Sequence, residues 1–575
     1  MNVRCWTIPI LALLAVSSGA AAAALGNIAV DGRVADPEGQ AVAGASVEIR
    51  PAASLYEEGV WEADGTGEPP PAAAAVSGKD GRFTLMAPQA GMWTVTVRAT
   101  DHVAMRTTLS PLLEAETLPD AVLAPDAGLR VRVEDADGKP LPGSRVRAAA
   151  RKVLDQGMPS RWEPLPRGGV TGADGEARLA RAADEALLVW AVAAGHGVTE
   201  APATMDAAVT LRLHRDPPRR ITVHAAAGAP VPGVIFRDGR SGLVLGRLLP
   251  GWTETDLTAG AGATIRVETA DGRRMSLAGN PATDLHLPAP ALRGGRVIAL
   301  LAAERRPLDG AWIWPAAEPA LAVRSDAHGA YRLEGSALAA GLQAAAPGFL
   351  PASRANVWNT ANELPSLGLS PASFLAGTVV DETGRPVSGA LVTVAGMPRF
   401  SYAPGSEAAR VWTSSAGAFR VAGLCGNADC RVEVRHPDFA PLAGILDGLP
   451  REVKDLRLVL RRGATVTGTL VDEHGEPPAG PLDVELVRSP PDDGDVLRRA
   501  TVSPDGRFAL AHLPAGQTVL HVRRAGAAQF HRSGVRIPET GTADLGRLVL
   551  PAGETLTVRV TDPAGRPLPG AVVSI

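Results

Sequence analysis

The chain has 575 residues, too many for one hydrophobic core, so several domains are expected. Its net charge of −4 gives no electrostatic footprint for nucleic acid. Its 63 Gly and 49 Pro are spread beside alternating apolar residues, a composition that favours a turn-rich all-β protein over disorder.

The first segment, MNVRCWTIPILALLAVSSGAAAAALGN, has positive Arg4, an apolar run from Trp6 to Val16 and small residues from Gly19 to Ala24. These are the three parts of a secretory signal peptide, with cleavage expected after Ala24. The apolar run is too short for a membrane span, and no Cys stands at the cleavage site to carry a lipid. No later stretch reaches the ~18 consecutive apolar residues of a spanning helix. An exported protein is expected, periplasmic, cell-surface or secreted, with no membrane span in the chain.

One motif then recurs. It reads VADPEGQAVAGASVEI from Val34, VEDADGKPLPGSRV from Val133, VDETGRPVSGALVTV from Val380, VDEHGEPPAGPLDV from Val471 and VTDPAGRPLPGAVV from Val560. Weaker copies start at Val223 (VHAAAGAPVPGVI) and Leu301 (LAAERRPLDGAWI). The second glycines of these copies are Gly44, Gly143, Gly233, Gly310, Gly389, Gly480 and Gly570, spaced 99, 90, 77, 79, 91 and 90 residues apart. Such a period exceeds that of most solenoids and fits separate small domains in tandem. Within the motif, Asp can accept from backbone amides, Gly accepts positive φ, and Pro sits at an edge or bulge.

A second motif follows in most units: SGKDGRFTL from Ser77, TGADGEARL from Thr171, SDAHGAYRL from Ser325, TSSAGAFRV from Thr413 and VSPDGRFAL from Val502. It gives another turn and then an aromatic anchor (Phe83, Tyr331, Phe419, Phe508) aimed at a core. Closing strands such as LRLVLRR (Leu456 to Arg462) complete about seven short strands per unit, the size of a small sandwich. The expected fold is all-β, a tandem array of small antiparallel seven-stranded β-sandwich domains. The expected division is a signal peptide 1–24, sandwiches 25–125 and 126–216, degenerate sandwiches 217–288 and 289–371, sandwiches 372–462 and 463–551, and the first hairpin of an incomplete seventh unit, 552–575. Joints such as LHRDPPRR (Leu213 to Arg220) would stiffen the array into a rod.

These two motifs together resemble the carboxypeptidase regulatory-like domain. That resemblance implies a prealbumin-like sandwich grouped with starch-binding-like modules. It implies no catalytic residues, and so lends architecture more than function.

With Cys5 removed alongside the leader, Cys425 and Cys430 remain, in GLCGNADCRVEV. Read as a four-residue turn between two strands, GNAD would face them across a hairpin, where a disulfide contributes about 2 kcal/mol.

The search for chemistry yields no catalytic residue, metal site or cofactor. No His-x-x-Glu pair occurs for zinc, and His196 and Glu200 are one residue too far apart. No G-x-S-x-G elbow or phosphate loop appears. The few lysines (Lys79, Lys139, Lys152 and Lys454) are not placed for a buried isopeptide bond. The acids Asp36/Glu38, Asp135/Asp137, Asp381/Glu382 and Asp472/Glu473 are two to a turn, short of the six to eight oxygens calcium takes, so turn capping is preferred. Trp61, Trp162, Trp252, Trp314 and Trp412 fall once per unit between the two motifs. They could form a stacking platform for sugars, against the plainer reading that each covers a core edge. Of these, Trp61 and Trp162 lie in polar, Pro-rich inserts expected to be exposed.

The expected function is therefore an exported, non-enzymatic scaffold or adhesion-type protein whose sandwiches bind a protein or polysaccharide ligand. One alternative is the accessory stalk of an enzyme or outer-membrane transporter whose functional domain lies beyond residue 575, since two strands cannot hold a seventh core. The other is a carbohydrate-binding module array.

Overall fold

The computed structural model describes residues 27–551 and 558–561, leaving out 153–160, 166–167, 183–186, 204–207, 227–228, 259–262, 278–283, 302–303, 336–337, 339–340, 355–363, 365, 397–408, 427–428, 479–481, 489–495 and 524–529. The signal-peptide segment and nearly all of the seventh unit lie outside the described residues.

Six pairs of sheets repeat one strand plan, and we number the sandwiches one to six. In sandwich five, Ala418–Leu424, Ser373–Asp381 and Glu452–Leu460 form a three-stranded sheet in that order. Facing it is a four-stranded sheet ordered Ala409–Trp412, Leu391–Gly396, Cys430–His436 and Phe439–Leu446. The sequence-eroded third stretch keeps this plan, with Glu254–Leu257, Arg219–His224 and Asp284–His286 against Val244–Leu248, Val234–Asp238, Ile265–Thr269 and Arg274–Leu277. Alternating apolar positions, not the turn motifs, maintain it there. Apolar clusters fill the space between paired sheets, such as Leu375, Val379, Val392, Phe419 and Val434 in sandwich five.

The expectation of wholly antiparallel sheets needs one correction. In five of the six sandwiches the first and last strands pair parallel, as at Val379↔Leu458 and Leu470↔Leu548. The reason is parity. Every connection reverses the chain, so odd-numbered strands run one way, and the first meets the seventh side by side.

The two motifs meet through one buried hydroxyl. Thr413 Oγ1 accepts from the Ala390 amide at 2.8 Å and donates to the Val387 carbonyl at 2.7 Å. The same pair of bonds joins Ser77 to Ala45 and Val42, Thr171 to Ser144 and Leu141, and Ser325 to Ala311 and Leu308. Backbone bonds flank it, including Thr413 N to Ala390 O and Gly389 N to Thr413 O. The glycine four residues after this hydroxyl touches the first strand. Gly175 has φ +74°, and a Cβ there would lie 2.8 Å from the Val133 carbonyl oxygen. A side chain would force apart the bond that its own carbonyl accepts from Val133 N.

The aromatic anchors are buried as expected, Phe83, Tyr331, Phe419 and Phe508 each at 4–6% exposure. Each faces a glycine in register on the first strand: Gly32, Gly295, Gly377 and Gly468. A Cβ on Gly468 would meet the Phe508 ring at 2.7 Å, so the glycine makes room for the ring.

Replacing Thr413 by Val leaves the buried Ala390 amide and Val387 carbonyl without the hydroxyl. A loss of ~1–3 kcal/mol is expected, with most of it recovered in Thr413→Ser. Hydrogen exchange along Leu391–Gly396 checks this. Equal protection in wild type and Thr413→Val would remove the hydroxyl from its bridging role.

Candidate functional site

The described residues divide into two compact units. One holds Met1–Ile298, Pro307–Pro347 and Ala352–Leu367, and the other holds Ala299–Arg306, Gly348–Pro351 and Gly368–Ile575. Within the first unit the sandwiches pack on one another around a helix, α1 (Leu55–Asp64), inserted in sandwich one. The joint LHRDPPRR links sandwiches two and three within this unit. That joint is bonded back onto sandwich two, through Gly197 N to His214 O and Asp216 N to Gly195 O.

Helix α1 begins with a capping box, in which Ser54 and Glu57 satisfy each other's backbone amides, and ends on Gly65 in the left-handed region at φ 64°. Gly59 lets it approach sandwich three, since a Cβ there would meet Ile235 at 2.7 Å. Arg237, only 5% exposed, donates from Nε to Glu268 at 3.1 Å. Its Nη1 donates to Glu62 at 2.8 Å and to the Gly242 carbonyl at 3.0 Å, and Nη2 donates to the Leu55 carbonyl at 3.3 Å. Burial alone would lower the pKa of this guanidinium, but Glu62 and Glu268 outweigh it and push the pKa above its ordinary value. At the helix ends, Arg247 binds Asp64 at 2.7 Å and the Leu55 amide donates to Glu318 of sandwich four at 2.9 Å. Glu318 in turn holds Arg274 of sandwich three. Apolar contacts complete the junction. Trp314 packs with Met92 and Ala345, and Ala149, Trp190 and Val192 of sandwich two join the core cluster of sandwich three.

The five sequence-selected tryptophans occupy non-equivalent places. Trp61 sits half-buried in α1, so the insert expected to be an exposed loop is a packed helix. Trp162 lies in the strand Arg161–Pro164, its surroundings outside the described residues. Trp252 is 60% exposed in a turn, while Trp314 is 3% exposed in the central strand Trp312–Pro315. Trp412 is half-buried in the strand Ala409–Trp412. Sequence reasoning alone missed α1 and Arg237, although Ser54-Leu55-Tyr56-Glu57 is a readable capping box.

Cys425 and Cys430 do not face each other across a hairpin. Ala418–Leu424 belongs to the three-stranded sheet and Cys430–His436 to the four-stranded one, so the turn between them crosses the sandwich. Among the described residues no disulfide forms; Cys425 is exposed and Cys430 buried, and burial raises the Cys430 thiol pKa.

Residues 375–461 match the family model of the carboxypeptidase regulatory-like domain. Among curated proteins nothing matches the chain. Of solved structures, the minor pilin GBS52 of Streptococcus agalactiae is 13% identical, with 33% of this chain and 100% of that one covered and a TM-score of 0.19. A streptococcal ancillary pilin is 10% identical, with 57% and 98% covered and a TM-score of 0.17. The shaft pilin SpaA of Lactobacillus rhamnosus GG is 11% identical, with 33% and 97% covered and a TM-score of 0.15. At these scores the likenesses support no further statement.

A shallow cleft of ≈ 560 Å³ in sandwich two is lined by Glu134, Thr199, Glu200 and Arg212. Its Glu134 pairs with Arg132 at 2.7 Å, and Glu200 accepts from Trp190 Nε1 at 2.9 Å. Among the described residues no three His, Cys, Asp or Glu side chains are grouped to hold a metal. The turn acids bond their own loops. Backbone amides chiefly hold Asp135, Asp326 and Asp472 below the ordinary carboxylate pKa, and for Asp381 the Thr383 hydroxyl leads.

Because these folded-state values are depressed, each acid contributes stability that is complete above the unfolded value of about 3.9. That contribution is lost as pH falls from there through the lower folded value. Asp381→Asn is expected to flatten the acid limb of the unfolding profile below pH ~4, read by circular dichroism. EDTA and calcium are expected to leave the wild-type midpoint unchanged, whereas a calcium-dependent rise would restore the metal reading of these turns.

Truncating Arg237 to Ala strands Glu268 and Glu62 beside α1. A loss of ~3–5 kcal/mol is expected at this junction, visible as faster exchange or proteolysis within Leu55–Asp64. Unchanged protection of the helix would show that the ion pairs do not hold it.

Proposed function

We propose that this β-sandwich array is an exported, non-enzymatic scaffold that holds a protein or polysaccharide ligand on surfaces its sandwiches present. The observation that supports this reading is the α1 junction. Its charged groups Arg237, Glu62 and Glu318 bind neighbouring sandwiches rather than converge on a cleft. A body assembled in this way presents loops in fixed positions, which favours binding by lowering the entropy lost on association.

Of the four selected tryptophans whose exposure is described, Trp252 is the most exposed and Trp314 the least. They therefore separate ligand contact from core packing. In pull-downs on immobilised polysaccharides and on surface proteins, Trp252→Ala is expected to weaken capture without moving the unfolding midpoint. Trp314→Ala is expected to cost ~3–5 kcal/mol of stability. Absence of capture in both assays would sink the ligand-presenting reading. Export is read separately, by expressing the chain with its first 24 residues and sequencing the mature N-terminus. An uncleaved chain retained in the cytoplasm would overturn it.

A further inference from the structure

Arg145 and Arg147 stand two positions apart on the strand Arg145–Lys152, hence on one face of its sheet and about 7 Å from each other. Their cross-strand partners are Val192 and Trp190, which pack against sandwich three. The two guanidiniums are thus drawn into the junction between sandwiches. Arg147 Nη1 donates to the Gly242 carbonyl at 3.1 Å and lies 3.9 Å from Glu62. Among the described residues Arg145 makes no hydrogen bond or ion pair, and the Nε atoms of both arginines are sealed from solvent without a partner. Glu62 is the carboxylate acting on Arg145, yet Arg237 already binds it at 2.8 Å.

A third cation approaches from sandwich three. A Cβ built on Gly242 (φ +72°) would lie 3.1 Å from Arg266 Nη2 and 3.3 Å from Arg147 Nη1. Two like charges therefore converge on the space that a side chain would fill, and Arg266 has no carboxylate partner among the described residues. The nearby Asp238 is turned away, accepting from the Ser241 hydroxyl at 2.7 Å and the Ser241 amide at 2.6 Å. A guanidinium keeps its proton under all ordinary conditions, so it cannot escape burial by neutralising. Guanidiniums crowded against one another repel, and an anion between them relieves that repulsion.

We propose that Arg147 and Arg266 form an oxyanion site at Gly242, taking a phosphate, sulfate or carboxylate group, with Arg145 adding positive charge from the next same-face position of its strand. Planar guanidiniums suit the bidentate geometry of such groups. The site's charge lies between sandwiches two and three, so occupancy ties them together.

The test is thermal unfolding of the full chain, titrated with potassium phosphate, sulfate or acetate against chloride at matched ionic strength. A saturable rise in midpoint is expected for at least one oxyanion and not for chloride, following the mass action of a ligand that binds the folded state. The ranking of the three identifies the group. Exposed Arg266→Gln is expected to weaken the apparent affinity about tenfold or more. Arg147→Met is expected to abolish the saturable rise, while Arg145→Met weakens it and leaves the anion-free midpoint no lower, because the Arg145 guanidinium has no bond of its own to lose among the described residues. Equal responses to chloride and all three oxyanions would overturn the site. So would a saturable response that persists unchanged in Arg147→Met and Arg266→Gln.

Discussion

Each sandwich depends on fastening two turns that are far apart in sequence. One buried hydroxyl does this in four of them, because a Ser or Thr oxygen can accept from one strand's amide and donate to another's carbonyl at once. Neither bond is available to a hydrocarbon side chain. Sandwich six has Val502 at this position and keeps the backbone part of the link, Val502 N to Leu482 O. Its Ser503 hydroxyl instead bonds locally, to Asp505 and to the Arg507 carbonyl. The fold thus tolerates loss of the hydroxyl where the neighbouring ladder remains whole.

The same trade between position and volume explains the core. Where the second motif supplies an aromatic ring, the opposing first-strand residue is glycine. Sandwich two reverses the pair, with Val131 opposite Ala177. The ring is gone and the facing residue has grown, so the space between the sheets is filled either way, as close packing requires. Ring and facing residue are therefore one constraint, kept whether or not the turns beside them are clear, since sandwich two has clear turns and no ring.

This explains what was legible. Asp381, Gly384, Gly389 and Thr413 act within a few residues or across one hairpin, so their spacing recurs as a period that can be read directly. Helix α1 has ten residues, short of what is stable alone, and gains its stability from Ile235 and Arg237 of another sandwich. Nothing in its own stretch reveals those partners beyond the capping box. The Cys425–Cys430 turn misleads for a related reason. Alternation marks both flanking strands, but cannot distinguish a hairpin within one sheet from a step between two. For the tryptophans, equal offset in sequence is not equal place in space once an insert becomes a helix. The arginine cradle was invisible because its three cations come from two sandwiches, with Glu62 from a third.

Two chemistries join sandwiches in this chain, and they answer differently to solvent. At α1 the bonds run between full charges, Arg237 with Glu62 and Glu268, and Arg247 with Asp64. Between sandwiches five and six, one guanidinium meets backbone dipoles instead. Arg498 Nη2 donates to the carbonyls of His436, Pro437 and Phe439 at 2.8–3.1 Å. Beside it Gly463, at φ +68°, allows the linker close to Ala440. Carbonyl groups do not titrate, so these three bonds survive at low pH, although Asp438 adds a nearby carboxylate that acts on Arg498. The α1 junction bonds its cations to carboxylates instead. Its more exposed pairs, such as Arg247 with Asp64, are open to screening, while the buried Arg237 pairs are shielded from it. The chain thus combines a charge-built junction whose cations exceed their nearby partners with a neutral clamp that needs none, and the surplus cation is what gives the first junction a reason to respond to an anion.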